Sequence, residues 1–478
     1  MLSNPLRRLA NPSFILICLC SCAVGPDYKK PDVTNITPSD WHWKVAEPND
    51  AISKGDWWNL FNDPHLDELE TQAVANNQNL RAAVARVDQA RATARVSRSQ
   101  FFPELSLDPS FKHERTSGDL PTPIPFDIPS AHINTFSVPL DLSYEVDLWG
   151  RVRRSFESTR AQASASVADY QNVLLTLTAD VAVNYFLSRA LDSEVAALRR
   201  TIELRNESFR ILNERFITGV IPEIDPVQAK TEVASAKAEL ADTLRQRAET
   251  VNALALLCGK SASAFELAEA PLAASPAAVP AGLPSSLLER RPDIARAERN
   301  LASKNAQIGV AKAGYFPALR LTGQAGYLSA EAENLFASDS RVWSIGPAVS
   351  LPLFNAGRTS AEVKEAEASY QEALSDYRQT VLTAFKEVED SLAQIAFRNE
   401  QAAAQNDALL SARRVTELSK ARYEAGVVNY LELMDAQRRV LQYERTAAQL
   451  EGQRFAASVR LVKALGGGWD SEAEKKMP

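Results

Sequence analysis

Apolar residues recur every seven positions over long stretches of this chain. Leu80, Val87 and Ala94 form one set, Leu287, Ile294, Leu301 and Ile308 a second, and Leu374, Val381, Val388 and Ile395 a third. Sustained heptads predict supercoiled helices packed knobs into holes. Neither Pro nor Gly occurs from Arg151 to Arg215, nor from Arg358 to Arg422. Each run of ~65 residues would be roughly 95–100 Å long at 1.5 Å per residue, beyond an ordinary globular helix.

Between the helical runs the period changes to two. Phe136, Val138, Leu140, Leu142, Tyr144, Val146 and Leu148 alternate with Ser137, Pro139, Asp141, Ser143, Glu145 and Asp147. Trp343, Ile345, Pro347, Val349, Leu351 and Leu353 alternate with small or polar residues, as do Leu105, Leu107 and Phe111, and Leu319, Leu321, Ala325 and Tyr327. Each set is ~10 residues, the length of a tilted strand crossing a bilayer. Any half-buried sheet alternates in this way. Here the strands lie between helices too long for a compact α+β domain. A backbone in lipid must close its sheet, and four strands per chain then require several chains; three chains give twelve strands.

The pattern occurs twice. Gly150-Arg151 matches Gly357-Arg358, Arg215 to Val220 matches Arg422 to Val427, and Leu257-Cys258-Gly259 matches Ala464-Leu465-Gly466, all at an offset of 207. Upstream, Phe101 to Leu105 matches Tyr315 to Leu319 at 214. The difference is an insertion in the first half, placed in the loop-like stretch Gly118-Asp119-Leu120-Pro121-Thr122-Pro123. The chain reads as a tandem duplication.

Composition narrows the class. Of 478 residues, 53 are Lys or Arg and 60 Asp or Glu, for a net charge of −7. That balance argues against a nucleic-acid binder, and 45% hydrophobic residues argue against disorder. No apolar stretch reaches the ~18 residues of a spanning helix, which excludes a polytopic helical membrane protein and leaves a β-barrel open. Arg7 and Arg8 followed by Phe14 to Leu19 read as an export signal. Leu19-Cys20-Ser21-Cys22 resembles a lipobox, so residues 1–21 are expected to be removed and Cys22 acylated. Several acyl chains anchor a protein stably. Ala23 at the next position favours sorting to the outer membrane. Cys258 is then left without a partner, in an apolar run that predicts an inert core thiol.

These residues resemble the outer-membrane factor family, the TolC-like exit ducts of tripartite efflux systems, in its lipoprotein branch. The matching segments are Cys22 to Pro31, Trp57 to Phe61 with Asp63-Pro64, Leu288 to Ile294, Ala306 to Pro317, Arg422 to Val427 with Leu433 to Gln437, and Ala464 to Trp469. The resemblance implies an α+β membrane protein with four barrel strands per chain, twelve per trimer. This barrel would be continuous with a long α-helical periplasmic barrel and a mixed equatorial domain. The expected layout is signal peptide 1–21, lipidated segment 22–66 and repeat 67–260, with strands in 103–148 and a tip at 216–226. A linker at 261–286 leads to repeat 287–467, with strands in 317–354 and a tip at 423–432, before a polar tail at 468–478. It further implies a homotrimer in outer-membrane lipid, a periplasmic adaptor, an RND-type inner-membrane transporter, and no cofactor or catalytic activity.

In that family the turns after the long helices form the periplasmic entrance and meet the adaptor. Here those tips carry Arg215, Gly219 and Val220 in the first repeat and Arg422, Gly426 and Val427 in the second. Gly also suits the left-handed end of any helix. Glu432 and Asp435 share a helix face at i, i+3. The resemblance makes both, with Tyr423 and Asp225, residues of the entrance gate, where rings of carboxylate would favour cations. Capping competes with that role: Asn429 with Glu432 fits a capping box, and Asp225-Pro226 fits an N-cap followed by Pro at N1. The basic residue that family members sometimes carry two positions after the glycine is Val428 here, which argues against an arginine latch.

Other chemistry is missing from the sequence. His42, His65, His113 and His132 lack metal-ligand spacing along the chain. Gly466-Gly467-Gly468 ends a helix instead of opening one, and no nucleophile elbow occurs. Trp41, Trp43, Trp57 and Trp58 are expected to pack the N-terminal segment. Two other functions use similar parts: a duct for type I protein secretion, and a periplasmic coiled-coil scaffold without a pore. The scaffold would lack paired amphipathic strands of this length.

Overall fold

A computed structural model describes residues 23–40, 42, 56–117, 130–272, 276 and 291–467. The signal segment, Cys22, Trp41, Trp43, the Gly118–Pro123 stretch, residues 273–275 and 277–286 of the linker and the 468–478 tail lie outside the described residues. In chain order the main elements are α1 (Pro64–Asn76), α2 (Gln78–Ser99), β1 (Glu104–Leu107), β2 (Ser110–Arg115), β3 (His132–Val146), α3 (Arg151–Ile217) and α4 (Ile224–Leu257). There follow α5 (Pro292–Ala313), β4 (Ala318–Ser329), β5 (Arg341–Ser350), α6 (Arg358–Glu424) and α7 (Tyr430–Ala464). The helix bounds repeat with the sequence. Both α2 and α5 have 22 residues and both α3 and α6 have 67. The heptad residues Leu80, Val87, Ile294, Leu301, Ile308, Val381 and Val388 are all buried.

The chain divides into two compact units. The first comprises residues 1–31, 88–165 and 298–376 and contains the sheet. Its strands are all antiparallel. Strand β3 lies between β4 and the β1–β2 pair, and β4 lies between β3 and β5. The first predicted strand is interrupted: β1 and β2 pair with consecutive stretches of β3, Leu105 opposite Leu142 and Phe111 opposite Phe136. The break falls at Asp108-Pro109, because proline has no N–H to give the ladder. Strand β3 stops at Val146 and β5 at Ser350, short of the predicted Leu148 and Leu353.

The register puts the apolar sets on one face. Leu142 stands between Leu105 and Gly323, Gly323 beside Ile345, and Ala325 beside Trp343. The other face is polar; Gln324 Nε2 donates to Asp141 Oδ1 at 2.9 Å. Trp343 and Ile345 are each 78% exposed on the apolar face, and Leu105, Leu107, Phe111 and Val349 are exposed with them. A contiguous apolar face of this kind marks a membrane or protein contact.

The N-terminal segment is laced onto the same unit. Val24 N–H donates to Trp149 O at 2.9 Å, Arg154 pairs with Asp27 at 2.6 Å, and Asn305 Nδ2 donates to Pro26 O at 2.9 Å. Gly25 (φ +104°) crosses Gly309 so closely that an added Cβ would stand 2.5 Å from the Gly309 Cα.

The second unit comprises residues 32–87, 166–297 and 377–478. Trp57 is buried in it, with its indole N–H donating to Thr178 Oγ1 at 3.2 Å; Phe61 meets Trp57 edge-on and lies tilted against Phe186, which stacks on Phe455. Asp63 caps α1 by accepting from the His65 and Leu66 amides, and also accepts from the Tyr185 hydroxyl at 2.6 Å. Cys258 is fully buried, and burial pushes its thiol up to about 11. A neutral thiol at ordinary pH is a poor nucleophile.

Candidate functional site

Both helical turns lie in the second unit and share one backbone motif. Gly219 N–H donates to Phe216 O at 2.8 Å and Val220 N–H to Arg215 O at 2.9 Å; Gly426 N–H donates to Tyr423 O and Val427 N–H to Arg422 O, each at 2.9 Å. This 6→1, 5→2 pairing is the Schellman end. It needs a left-handed residue, and φ is +74° at Gly219 and +75° at Gly426. Nothing lies within 4 Å of a Cβ built on either glycine, so the backbone conformation selects glycine here, not crowding. Val220 and Val427 are 70% and 68% exposed, and Ile217, Ile224, Val227 and Leu431 are exposed with them.

The side chains of the two turns differ. At the second turn Asn429 is the N-cap of α7, its Oδ1 accepting from Glu432 N–H at 3.3 Å. This is half of a capping box: the Glu432 carboxylate turns instead to Arg422, accepting from Nη1 at 2.7 Å. At the first turn the expected cap is corrected. Helix α4 starts at Ile224 after Glu223, which makes no side-chain cap bond, so Asp225 lies inside the first turn. The cause is Pro222, whose carbonyl accepts from Asp225 N–H at 3.4 Å and starts the helical turn early. Pro226 is tolerated because its missing N–H is one of the first four, which have no partner within the helix.

Asp435 ends a chain of alternating charges. Its Oδ1 accepts from Arg438 Nη1 at 3.3 Å, Arg438 also pairs with Glu232 on α4, and Glu232 pairs with Arg205 on α3 at 3.2 Å. The Arg205 and Glu232 side chains are only 5% and 7% exposed. The Arg438 hydrogen bond holds the Glu232 carboxyl below its ordinary value, against its burial. Desolvation lowers Arg205, partly offset by the charge of Glu232. Seven residues further along both helices the arrangement recurs: Arg445 pairs with Glu239 at 2.7 Å and with Glu194 at 3.3 Å. Period seven keeps both rungs on one face of each helix.

Between the turns sits a small core of Leu212, Ala229, Tyr430, Leu433 and Met434, against which Phe209, Ile221 and Tyr423 pack. The Tyr423 ring meets Tyr430 edge-on at 5.8 Å. The structure thus brings Tyr423 to the apolar core and Glu432 and Asp435 to separate arginines, while Asp225 joins none of these pairs. Arg205, Glu232, Tyr430, Arg438 and Arg445 escape sequence reasoning. The one signal for them is the i, i+7 spacing of Glu232 with Glu239 and of Arg438 with Arg445. Among the described residues no group of three His, Cys, Asp or Glu is placed to hold a metal.

The sequence profile described as outer membrane efflux protein matches residues 69–260 and 283–467. The chain belongs to the outer membrane efflux protein family. It is 34% identical over 470 residues to the solvent efflux pump outer membrane protein SrpC of Pseudomonas putida, covering 96% of this chain and 98% of that one. It is 35% identical to the pyoverdine export outer membrane protein OpmQ of Pseudomonas aeruginosa, covering 98% of each. Among solved structures, the outer-membrane channel OprN superposes with a TM-score of 0.86 at 30% identity, over 94% of this chain and all of that one. The open state of the Neisseria gonorrhoeae MtrE outer membrane channel superposes at 0.81 with 29% identity, over 94% and 99%.

Proposed function

We propose that this chain is the outer-membrane exit duct of a tripartite efflux pump. Three copies close a twelve-stranded barrel, and small toxic compounds pass through it passively from an RND-type inner-membrane transporter and a periplasmic adaptor. The observation that carries the reading is the single-layer sheet with an exposed apolar face, whose outer strands β5 and β1–β2 are not paired with each other. An open edge in lipid leaves N–H and C=O groups without partners at several kcal/mol each, so copies of the chain must complete the sheet. The names of SrpC, OpmQ and MtrE support the same role. Acylation of Cys22 anchors each copy, next to a segment fixed from Val24 onward. The turns at Gly219 and Gly426 receive the adaptor, and Glu432 and Asp435 line the entrance.

The test is the mass of the detergent-extracted protein. Three chains per particle are expected. A folded, monodisperse monomer that conducts ions would refute the closure argument. Fatty-acid labelling of wild type and Cys22→Ala checks the anchor, and undiminished label in the variant would remove it.

A further inference from the structure

Helix α1 buries a stripe at i, i+3, i+4 and i+7, the spacing of an apolar face, and one of its positions is a carboxylate. The buried residues are Leu66, Leu69, Glu70 and Ala73. Glu70 is 0% exposed, and neither of its carboxylate oxygens has a hydrogen-bond partner. One turn earlier on the same face, Asp67 Oδ1 is also buried without a partner.

The surroundings bring no cation to these oxygens. Helix α1 docks on the end of α4: Cys258 Sγ donates to Leu69 O at 3.7 Å and Asn77 Nδ2 to Leu257 O at 2.9 Å. Lys260 is turned to Gln72, its Nζ donating to Oε1 at 2.6 Å. The titratable groups coupled to Glu70 are Asp67 on its own helix and Cys258 at the end of α4.

Three buried acceptors therefore lie at a junction that gives them no donor. A lone buried carboxylate is costly and neutralises instead. A proton supplies what is missing: the O–H it creates on Glu70 has an acceptor in Asp67 Oδ1, a side-chain neighbour at i, i+3. Two carboxyls so placed resist ionising together. Burial first, and the Asp67 charge second, push the Glu70 carboxyl well above its ordinary value.

We propose that Glu70 and Asp67 form a proton-binding pair that keeps α1 docked on the end of α4. The pair holds one proton at neutral pH, on the fully buried Glu70. Loss of that proton as pH rises charges a dry junction and opens it, freeing the Cys258 thiol. The sign follows from the raised folded value. The docked state is fully stable below the ordinary 4.5, and it weakens as pH climbs toward the raised value, after which the loss is constant.

The probe is iodoacetamide on the full-length protein in detergent, with alkylation read by mass spectrometry on the peptide that carries Cys258. Glu70→Gln keeps the shape and cannot titrate, so the ratio of wild-type to variant rates cancels the thiol's own response to pH. That ratio should climb from about pH 5 to about pH 8, by up to about tenfold per unit. Glu70→Leu, which completes the apolar stripe, should serve as the same reference. Asp67→Asn should shrink the rise without abolishing it, since the burial of Glu70 remains. EDTA and added Ca²⁺ should change nothing. A ratio independent of pH would overturn the pair, and so would a rate that follows Ca²⁺, which would put a metal ion in the proton's place.

Discussion

The two helical turns have the same backbone and different chemistry. Each ends a 67-residue helix in a Schellman motif on a glycine, and each exposes a valine next to it. The second turn adds a side-chain cap at Asn429, the Arg422–Glu432 pair and, a turn deeper, Asp435 with Arg438. At the first turn Glu223 makes no cap bond. Duplication therefore preserved what the backbone requires, while the side chains diverged. The ion lattice joins the repeats: α7 of the second reaches Glu232, Glu239 and Glu194 of the first.

The largest effect should come from the buried end of that lattice. Arg205→Ala leaves Glu232 buried beside a single remaining arginine and should cost ~3–5 kcal/mol locally, read as lost hydrogen-exchange protection around residues 205 and 232. Arg422→Ala removes an exposed pair and should cost under ~1 kcal/mol. Equal losses would erase the distinction between the buried and exposed parts. The sign with pH follows from Glu232, whose carboxyl is held below its ordinary 4.5. Its contribution is complete above that value and is lost as pH falls through the depressed one.

Next come the glycines, where the turns should behave alike. Alanine in the left-handed region costs roughly 1–2 kcal/mol, so Gly219→Ala and Gly426→Ala should lower thermal stability by the same amount. A large difference between them would show that the backbone match is only apparent. The cap should separate the turns again, by less: Asn429→Ala should cost ~1 kcal/mol and Glu223→Ala close to nothing, as read by amide exchange in the first turns of α7 and α4.

Much of this was legible before the structure. The two Pro- and Gly-free runs place α3 and α6 to within two residues, and the heptads and the offsets of 207 and 214 foretell α2 and α5 without fixing their ends. The alternation assigns the faces of β3 and β4, because period two is local and each strand carries it alone. The turn glycines were legible for the same reason. What escaped depends on tertiary partners. Periodicity puts Glu232 and Arg438 on helix faces, but says nothing of which faces meet across 206 residues of chain. Asp225 misled because Asp-Pro is a good start signal, while Pro222 had already started the helix.

The central proposal, that Glu432 and Asp435 line the entrance and favour cations, is most directly tested by reversal potentials of the purified full-length protein in planar bilayers at low salt. The variant is Glu432→Gln/Asp435→Asn, which removes the charge and keeps the shape, with Asp141→Asn on β3 as control. Charge on an exposed group acts only over ~8 Å at physiological salt, so low salt gives the clearest reading. The account predicts cation selectivity in the wild type, a marked fall in the double variant and a smaller change in the control. Wild-type reversal potentials in the double variant would contradict it.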